Sequence, residues 1–316
     1  MSQQTPVRRV EPMWLAWMER WPTPADLAAA PKAEVIRQWA NLGYPRRAMR
    51  LQECAQACVD RHGGNIPSTV AELEALPGIG TYAARAVAAF AFGQAVPVVD
   101  TNVRRVYRRL VDGLFLQGPA RARDLRDVAA LLPFVDPDPA LPSPASRRHQ
   151  RASQAFSPKS RTYSPQGSGD GSGTTSVSDP EAPSLRDSAN LMCAALMELG
   201  ALVCTARSPR CEECPVSHMC RWVALGKPEP SETEQQQAKK RVQKFEGTDR
   251  QVRGRIMALL RNDGSKGPVA STVPEADIVN LWEDEVQLRR CVDSLLADGL
   301  IQATESEGMV AYHLPK

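Results

Sequence analysis

Four cysteines carry the densest chemistry in this chain. In the stretch CTARSPRCEECPVSHMC, Cys204, Cys211, Cys214 and Cys220 are spaced C-x6-C-x2-C-x5-C. Four thiolates this close together can wrap one metal centre, either a zinc ion or an iron–sulfur cluster, since both take four such ligands. Arg207, Arg210 and Arg221 stand among the cysteines and could present cations to a phosphate backbone. A second concentration lies in LPGIGTYAARAVAAFAFGQAVPVVDTNVRRV. Gly78 and Gly80 allow a sharp turn that leaves backbone N–H groups at a helix N-terminus, a ready anion site. Asp100 then heads the next helix, where its carboxylate can cap free amides. Arg104, Arg105, Arg108 and Arg109 follow, as a solvated cationic face or as cations that track a nucleic-acid strand.

These groups need rigid elements to hold them, and the chain has the length for two domains. It has 316 residues, an apolar fraction of 42% and a formal net charge of +3. So mild a positive charge allows nucleic-acid binding without demanding it, so local patches must carry that argument. No apolar run is long enough to cross a membrane and no secretory signal is visible; the expectation is a cytoplasmic chain whose eight cysteines are thiols or metal ligands rather than disulfides. Residues 1–135 read as successive helices. Val7, Val10, Trp14, Trp17, Met18 and Trp21 recur at helical spacing, Thr23 is an N-cap, and a further helix starts at a proline and ends on Gly63-Gly64. No stretch alternates with period two, so this part is all-α. Residues 136–183 are Pro-, Ser- and Gly-rich and are expected to be disordered. Helix and cysteine loop occupy 184–222, and 223–247 is a linker. Residues 248–316 form a separate small domain with helices over 249–261, 275–282 and 285–298 followed by two short strands, a winged-helix-like order. Cys54, Cys58, Cys193 and Cys291 are expected to be ordinary buried or surface thiols.

The Pro-Gly-x-Gly turn with Asp100 downstream resembles the helix–hairpin–helix DNA glycosylase superfamily, and the cysteine spacing is similar to the [4Fe–4S] loop of its endonuclease III and adenine glycosylase branches. The resemblance covers residues 1–135 and 184–222 and turns the metal choice toward a [4Fe–4S] cluster in a structural role. It implies that the hairpin grips a phosphate through its main chain and that Asp100 acts on the sugar. Breaking an N-glycosidic bond builds positive charge on deoxyribose, which a carboxylate beside C1′ stabilises. Bifunctional endonuclease III-type enzymes carry a Schiff-base lysine where this chain has Tyr82, and tyrosine has no amine for that chemistry. Tyr82 and Asn102 instead resemble active-site residues of MutY-type adenine glycosylases. Tyr44 in LGYPRRA matches a tyrosine that inserts near the damaged guanine, with Pro45 departing from the usual second tyrosine. Gln3 and Gln4 match a Gln-Gln-Thr segment that wedges into DNA as adenine flips out.

Three departures accompany the resemblance. Met1 aligns with the methionine of the family motif Ser-Glu-Val/Ile-Met-x-Gln-Gln-Thr, so the general-acid glutamate would fall two residues before Met1. Its loss would cost roughly 10²–10⁴ in rate, and Glu11 is too far along the helix to replace it. The winged-helix-like tail stands where many relatives carry a Nudix-like domain that recognises 8-oxoguanine. The insertion falls between Asp100 and the cysteine loop and should be tolerated as a surface excursion. The expectation is a monomeric, nucleoid-associated monofunctional glycosylase acting on double-stranded DNA with an A·8-oxoguanine or A·G mismatch. A DNA-binding protein without the chemistry is the alternative.

Overall fold

The computed structural model describes residues 1–2, 5–137, 141, 184–238, 245–261, 272–306 and 308–316. The expected disorder of 136–183 therefore falls almost wholly outside the described residues. The chain forms two compact units, Met1–Thr81 with Lys240–Lys316, and Tyr82–Lys239.

The first unit opens with α1 (Val7–Arg20), α2 (Pro24–Ala29), α3 (Lys32–Trp39), α4 (Arg46–His62) and α5 (Val70–Glu74). Thr23 caps α2 through a reciprocal box: its hydroxyl accepts from the Asp26 amide at 3.2 Å, and the Asp26 carboxylate accepts from the Thr23 amide at 3.0 Å. α4 ends at Gly63 in the left-handed region (φ 60°), as its Gly-Gly end predicts. Val10, Trp17 and Trp21 share one face of α1 and are buried with Val35 and Trp39, the Trp17 ring meeting Trp21 edge-on at 4.9 Å. Val7, Trp14 and Met18, also expected in that stripe, are exposed. They form a parallel row three residues earlier on the helix, rotated about 60° away from the core.

The C-terminal residues supply α12 (Asp249–Arg261), β1 (Val273–Pro274), α13 (Glu275–Val279), α14 (Glu285–Ala297), β2 (Gln302–Ser306) and β3 (Met309–His313). The strands form an antiparallel sheet in the order β1-β3-β2, with Val273 opposite Tyr312 and Ser306 opposite Met309. The winged-helix-like order holds, with two corrections. Val273–Pro274 adds a third strand, and α13 stops at Val279, with Asn280 as its C-cap, three residues short of the expected Trp282. The compact units also divide differently from the domain limits expected from composition. Ile36 of α3 is fully buried in one core with Val252, Ile256, Leu295 and Leu300 of the tail, so the tail does not pack by itself.

The second unit contains α6 (Thr81–Phe90, whose first residue closes the first unit), α7 (Thr101–Tyr107), α8 (Asp124–Ala129), α9 (Leu185–Glu198), α10 (Arg221–Ala224) and α11 (Glu232–Ala238). Two π-helical turns extend α7 and α9, over Arg108–Asp112 and Leu199–Val203. An extended strap, residues 95–100, delivers the chain to α7. Its Ala95 amide donates to the buried Asp136 carboxylate at 2.7 Å, and Arg186 pairs with the same carboxylate at 2.6 Å. Val103, Val106, Val128 and Leu196 form the core between α7, α8 and α9. Among the described residues no helix is long and apolar enough to cross a membrane.

Candidate active site and cluster loop

Asp100 sits half-buried at the N-cap of α7. Its Oδ1 accepts the Val103 amide at 2.7 Å, and its Oδ2 accepts from Asn102 Nδ2 at 2.9 Å. A carboxylate offers about four lone-pair sites. Two are engaged here, which fixes the rotamer and leaves acceptor capacity on both oxygens. Capping and chemistry are thus compatible at one residue. Tyr82, in the first turn of α6, is close enough to Asp100 for the carboxylate charge to act on it. Burial first, and then that charge, push the Tyr82 hydroxyl pKa up, so it stays protonated and neutral at physiological pH.

Asn102 is itself anchored. Its Oδ1 accepts from Arg105 Nη2 at 2.8 Å, and Arg105 also donates to the Gly200 carbonyl at 2.6 Å and the Cys204 carbonyl at 2.8 Å. A continuous run of hydrogen bonds therefore joins the Asp100 carboxylate to the backbone of the first cysteine. Arg109, only 1% exposed, holds the next stretch. It donates to the Thr205 carbonyl at 2.7 Å, the Ala206 carbonyl at 3.0 Å and Cys204 Sγ at 3.4 Å, and its guanidinium stacks 4.3 Å from the Phe115 ring centroid. Arg104 pairs with Asp124 at 2.7 Å, and Arg108 is buried against Asp112. The expectation that Arg104 and Arg105 follow a DNA strand does not hold for these positions: their guanidiniums are spent inside the unit. Asn102, Arg105 and Arg109 recur at i, i+3 and i+7, so one helix face was available in the sequence as a signal for this network.

The close approach of α7 and the π turn after α9 depends on Gly200. A Cβ there would lie 2.7 Å from Asn102 Cβ and 2.9 Å from the Asn102 carbonyl oxygen. Backbone atoms cannot yield as a side chain can, so Gly200→Ala is expected to lower stability by about 1–3 kcal/mol, measured by thermal unfolding. It should also slow the reaction, because the atoms it strikes belong to the residue that orients Asp100. A Gly200→Ala protein with unchanged melting would refute the close contact.

All four cysteines line one pocket with Arg109, Val203 and Trp222. Four thiols that line one pocket match the four thiolate ligands that a [4Fe–4S] cluster takes, and these four residues would hold it. When bound, such a cluster cross-links the four thiolates and so holds the loop closed. Arg207 and Arg210 are both exposed on this loop, and Arg210 is tied to the Leu202 carbonyl at 2.6 Å and to Glu213 at 2.7 Å. Cys54, Cys58, Cys193 and Cys291 are buried, and burial drives the Cys54 thiol pKa up to about 11.

In the first unit the turn Leu76–Gly80 leads straight into α6. Gly78 has φ +77° and both glycines are exposed, which leaves their amides accessible at the start of a ten-residue helix. Tyr44 projects half-exposed from a turn with φ +49°, unusual for a side chain of that size. Trp39 Nε1 donates to the Gly43 carbonyl at 3.0 Å, and Arg47 donates to the Leu42 carbonyl at 3.3 Å, to Thr5 Oγ1 at 2.9 Å and to the Met1 carbonyl at 3.1 Å. Gln3 and Gln4 lie outside the described residues; Arg47 ties down the backbone on either side of them.

The turn with accessible amides, the fixed carboxylate at a helix head and the four-thiolate loop are each features expected of a helix–hairpin–helix DNA glycosylase. Residues 1–112 match the HhH-GPD superfamily of base excision DNA repair proteins, and residues 204–220 match the iron–sulfur binding domain of endonuclease III. The chain is 46% identical over 304 residues to the adenine DNA glycosylase of Mycolicibacterium smegmatis, covering 96% of this chain and 82% of that one. It is 42% identical over 305 residues to the adenine DNA glycosylase of Mycobacterium tuberculosis, covering 96% and 80% respectively. The human adenine DNA glycosylase is 36% identical over 222 residues, 70% of this chain and 32% of that one. The chain belongs to the adenine DNA glycosylase family, and its cofactor is a [4Fe–4S] cluster.

Proposed function

We propose that this glycosylase is monofunctional and monomeric and hydrolyses the N-glycosidic bond of adenine mispaired with 8-oxoguanine or guanine. The observation that carries the reading is the Asp100 site, where the carboxylate is fixed by Val103 and Asn102 and the neighbouring side chain is tyrosine. Asp100 stabilises the positive charge that develops on the sugar as the base departs. Tyr82 and Asn102 line the site without supplying a nucleophilic amine. The exposed Gly78 and Gly80 amides bind phosphate at the head of α6. Gln3, Gln4 and Tyr44 act as wedges in the duplex, Tyr44 beside the base opposite adenine. Arg207 and Arg210 approach the backbone from the cluster loop.

Adenine release from duplexes with A·8-oxoguanine and A·G tests the reading. The expected result is release without strand cleavage and without borohydride trapping of the protein on abasic DNA. Tyr82→Lys should introduce trapping, because it places an amine near the Asp100 carboxylate. Trapping by the unaltered chain would make it bifunctional. Absence of any release would leave a DNA-binding protein without glycosylase chemistry.

A further inference from the structure

The C-terminal residues place a cation on the wedge tyrosine. Arg250, the second residue of α12, holds its guanidinium 4.4 Å from the Tyr44 ring centroid, with the Phe245 ring 5.7 Å away on the same cation. The arrangement is built by packing. Ile36 is buried in the tail's core, and Arg46, two residues after Tyr44, pairs with Asp298 at 3.3 Å. Net charge does not favour the tail as a DNA grip of its own, because residues 248–316 carry eleven acidic against eight basic side chains. Its α14 begins in the run Glu283-Asp284-Glu285, which repels a phosphate backbone. Where it meets the Tyr44 turn, however, it contributes an exposed guanidinium whose N–H edge remains available around the stacked face.

We infer that Arg250 is a specificity-determining residue for the base opposite the excised adenine, and that it donates to the O8 carbonyl of 8-oxoguanine. The inference rests on the reading of Tyr44 as the wedge beside that base. O8 is an acceptor that guanine lacks. At the same place guanine presents C8–H, against which a guanidinium has nothing to bond. The stacked Tyr44 ring holds the cation in position before DNA arrives, so little ordering is left for binding to supply.

Binding measures this independently of base release. The whole chain is titrated with duplexes carrying a tetrahydrofuran abasic analogue opposite either 8-oxoguanine or guanine, at one salt concentration. The wild-type chain is expected to prefer the 8-oxoguanine duplex, and Arg250→Ala to lose about 10-fold of that preference with unchanged thermal unfolding. Arg250→Lys, which keeps the charge but not the planar fork, should lose most of it too. Arg255→Ala, on the same helix but stacked on Trp282 at 5.0 Å, should leave the preference intact. A wild-type chain with no preference overturns the inference, and so does an unchanged ratio in Arg250→Ala. A ratio that rises in Arg250→Ala would mean that the guanidinium reads the O6/N7 edge of guanine, and also overturns it. Failure of adenine release would sink the proposed activity and leave this ratio readable.

Discussion

Asp100→Asn is expected to slow adenine release by at least 10²–10³ under single-turnover conditions while barely changing the fold. Asparagine is as good an N-cap as aspartate, so the Val103 amide keeps its acceptor and α7 keeps its start. The charge near the helix N-terminus is lost, at a cost of about 0.3–1 kcal/mol. The bond from Asn102 Nδ2 can still be accepted by the new amide oxygen if the two amides arrange themselves around it. On the proposed mechanism, what cannot be replaced is a full negative charge facing a sugar that becomes cationic. Asp100→Ala serves as the comparison, since it should lose the same activity and about 1 kcal/mol more stability from the missing cap. Release by Asp100→Asn at the wild-type rate would remove this carboxylate from the chemistry.

Those parts of the site that depend on local spacing were legible in the sequence. The cysteine intervals, the Pro-Gly-x-Gly turn and an aspartate at a helix head each follow from residues within one or two turns of each other. The arginines after Asp100 were not. RRVYRRL has the look of a cationic surface, and only carbonyls nearly a hundred residues away, at Gly200 and Cys204–Ala206, bury Arg105 and Arg109. The π turn that carries the Gly200 carbonyl and runs into Cys204 has no sequence mark of its own. In the same way, nothing local to Ile36 says that its side chain completes the core of residues 252–314. Composition marks where a linker begins, whereas packing decides which segments form a unit.

The second large effect is expected at Arg105. Arg105→Ala removes the donor shared by Asn102 Oδ1, the Gly200 carbonyl and the Cys204 carbonyl in a site where the side chain is 6% exposed. Charge-assisted bonds contribute about 1.5–3 kcal/mol each, but three bonds sharing one donor are not additive, so a loss of roughly 3–5 kcal/mol is expected by thermal unfolding. A purely structural role would stop there. Arg105 also stands between two chemically distinct places, so two further readouts should move together at a temperature where the variant is still folded. The iron–sulfur absorbance should decay faster on exposure to chelator, because the Cys204 backbone has lost its tether to α7. Single-turnover adenine release should fall about 10-fold or more, because Asn102, freed at its oxygen, no longer holds the Asp100 carboxylate in one rotamer. Arg105→Lys sharpens the comparison, since one ammonium can satisfy one carbonyl but cannot span Asn102, Gly200 and Cys204 as a planar fork does. It should recover stability before it recovers rate. A folded Arg105→Ala protein with wild-type release and a chelator-resistant cluster would show that the network packs the unit without positioning Asp100.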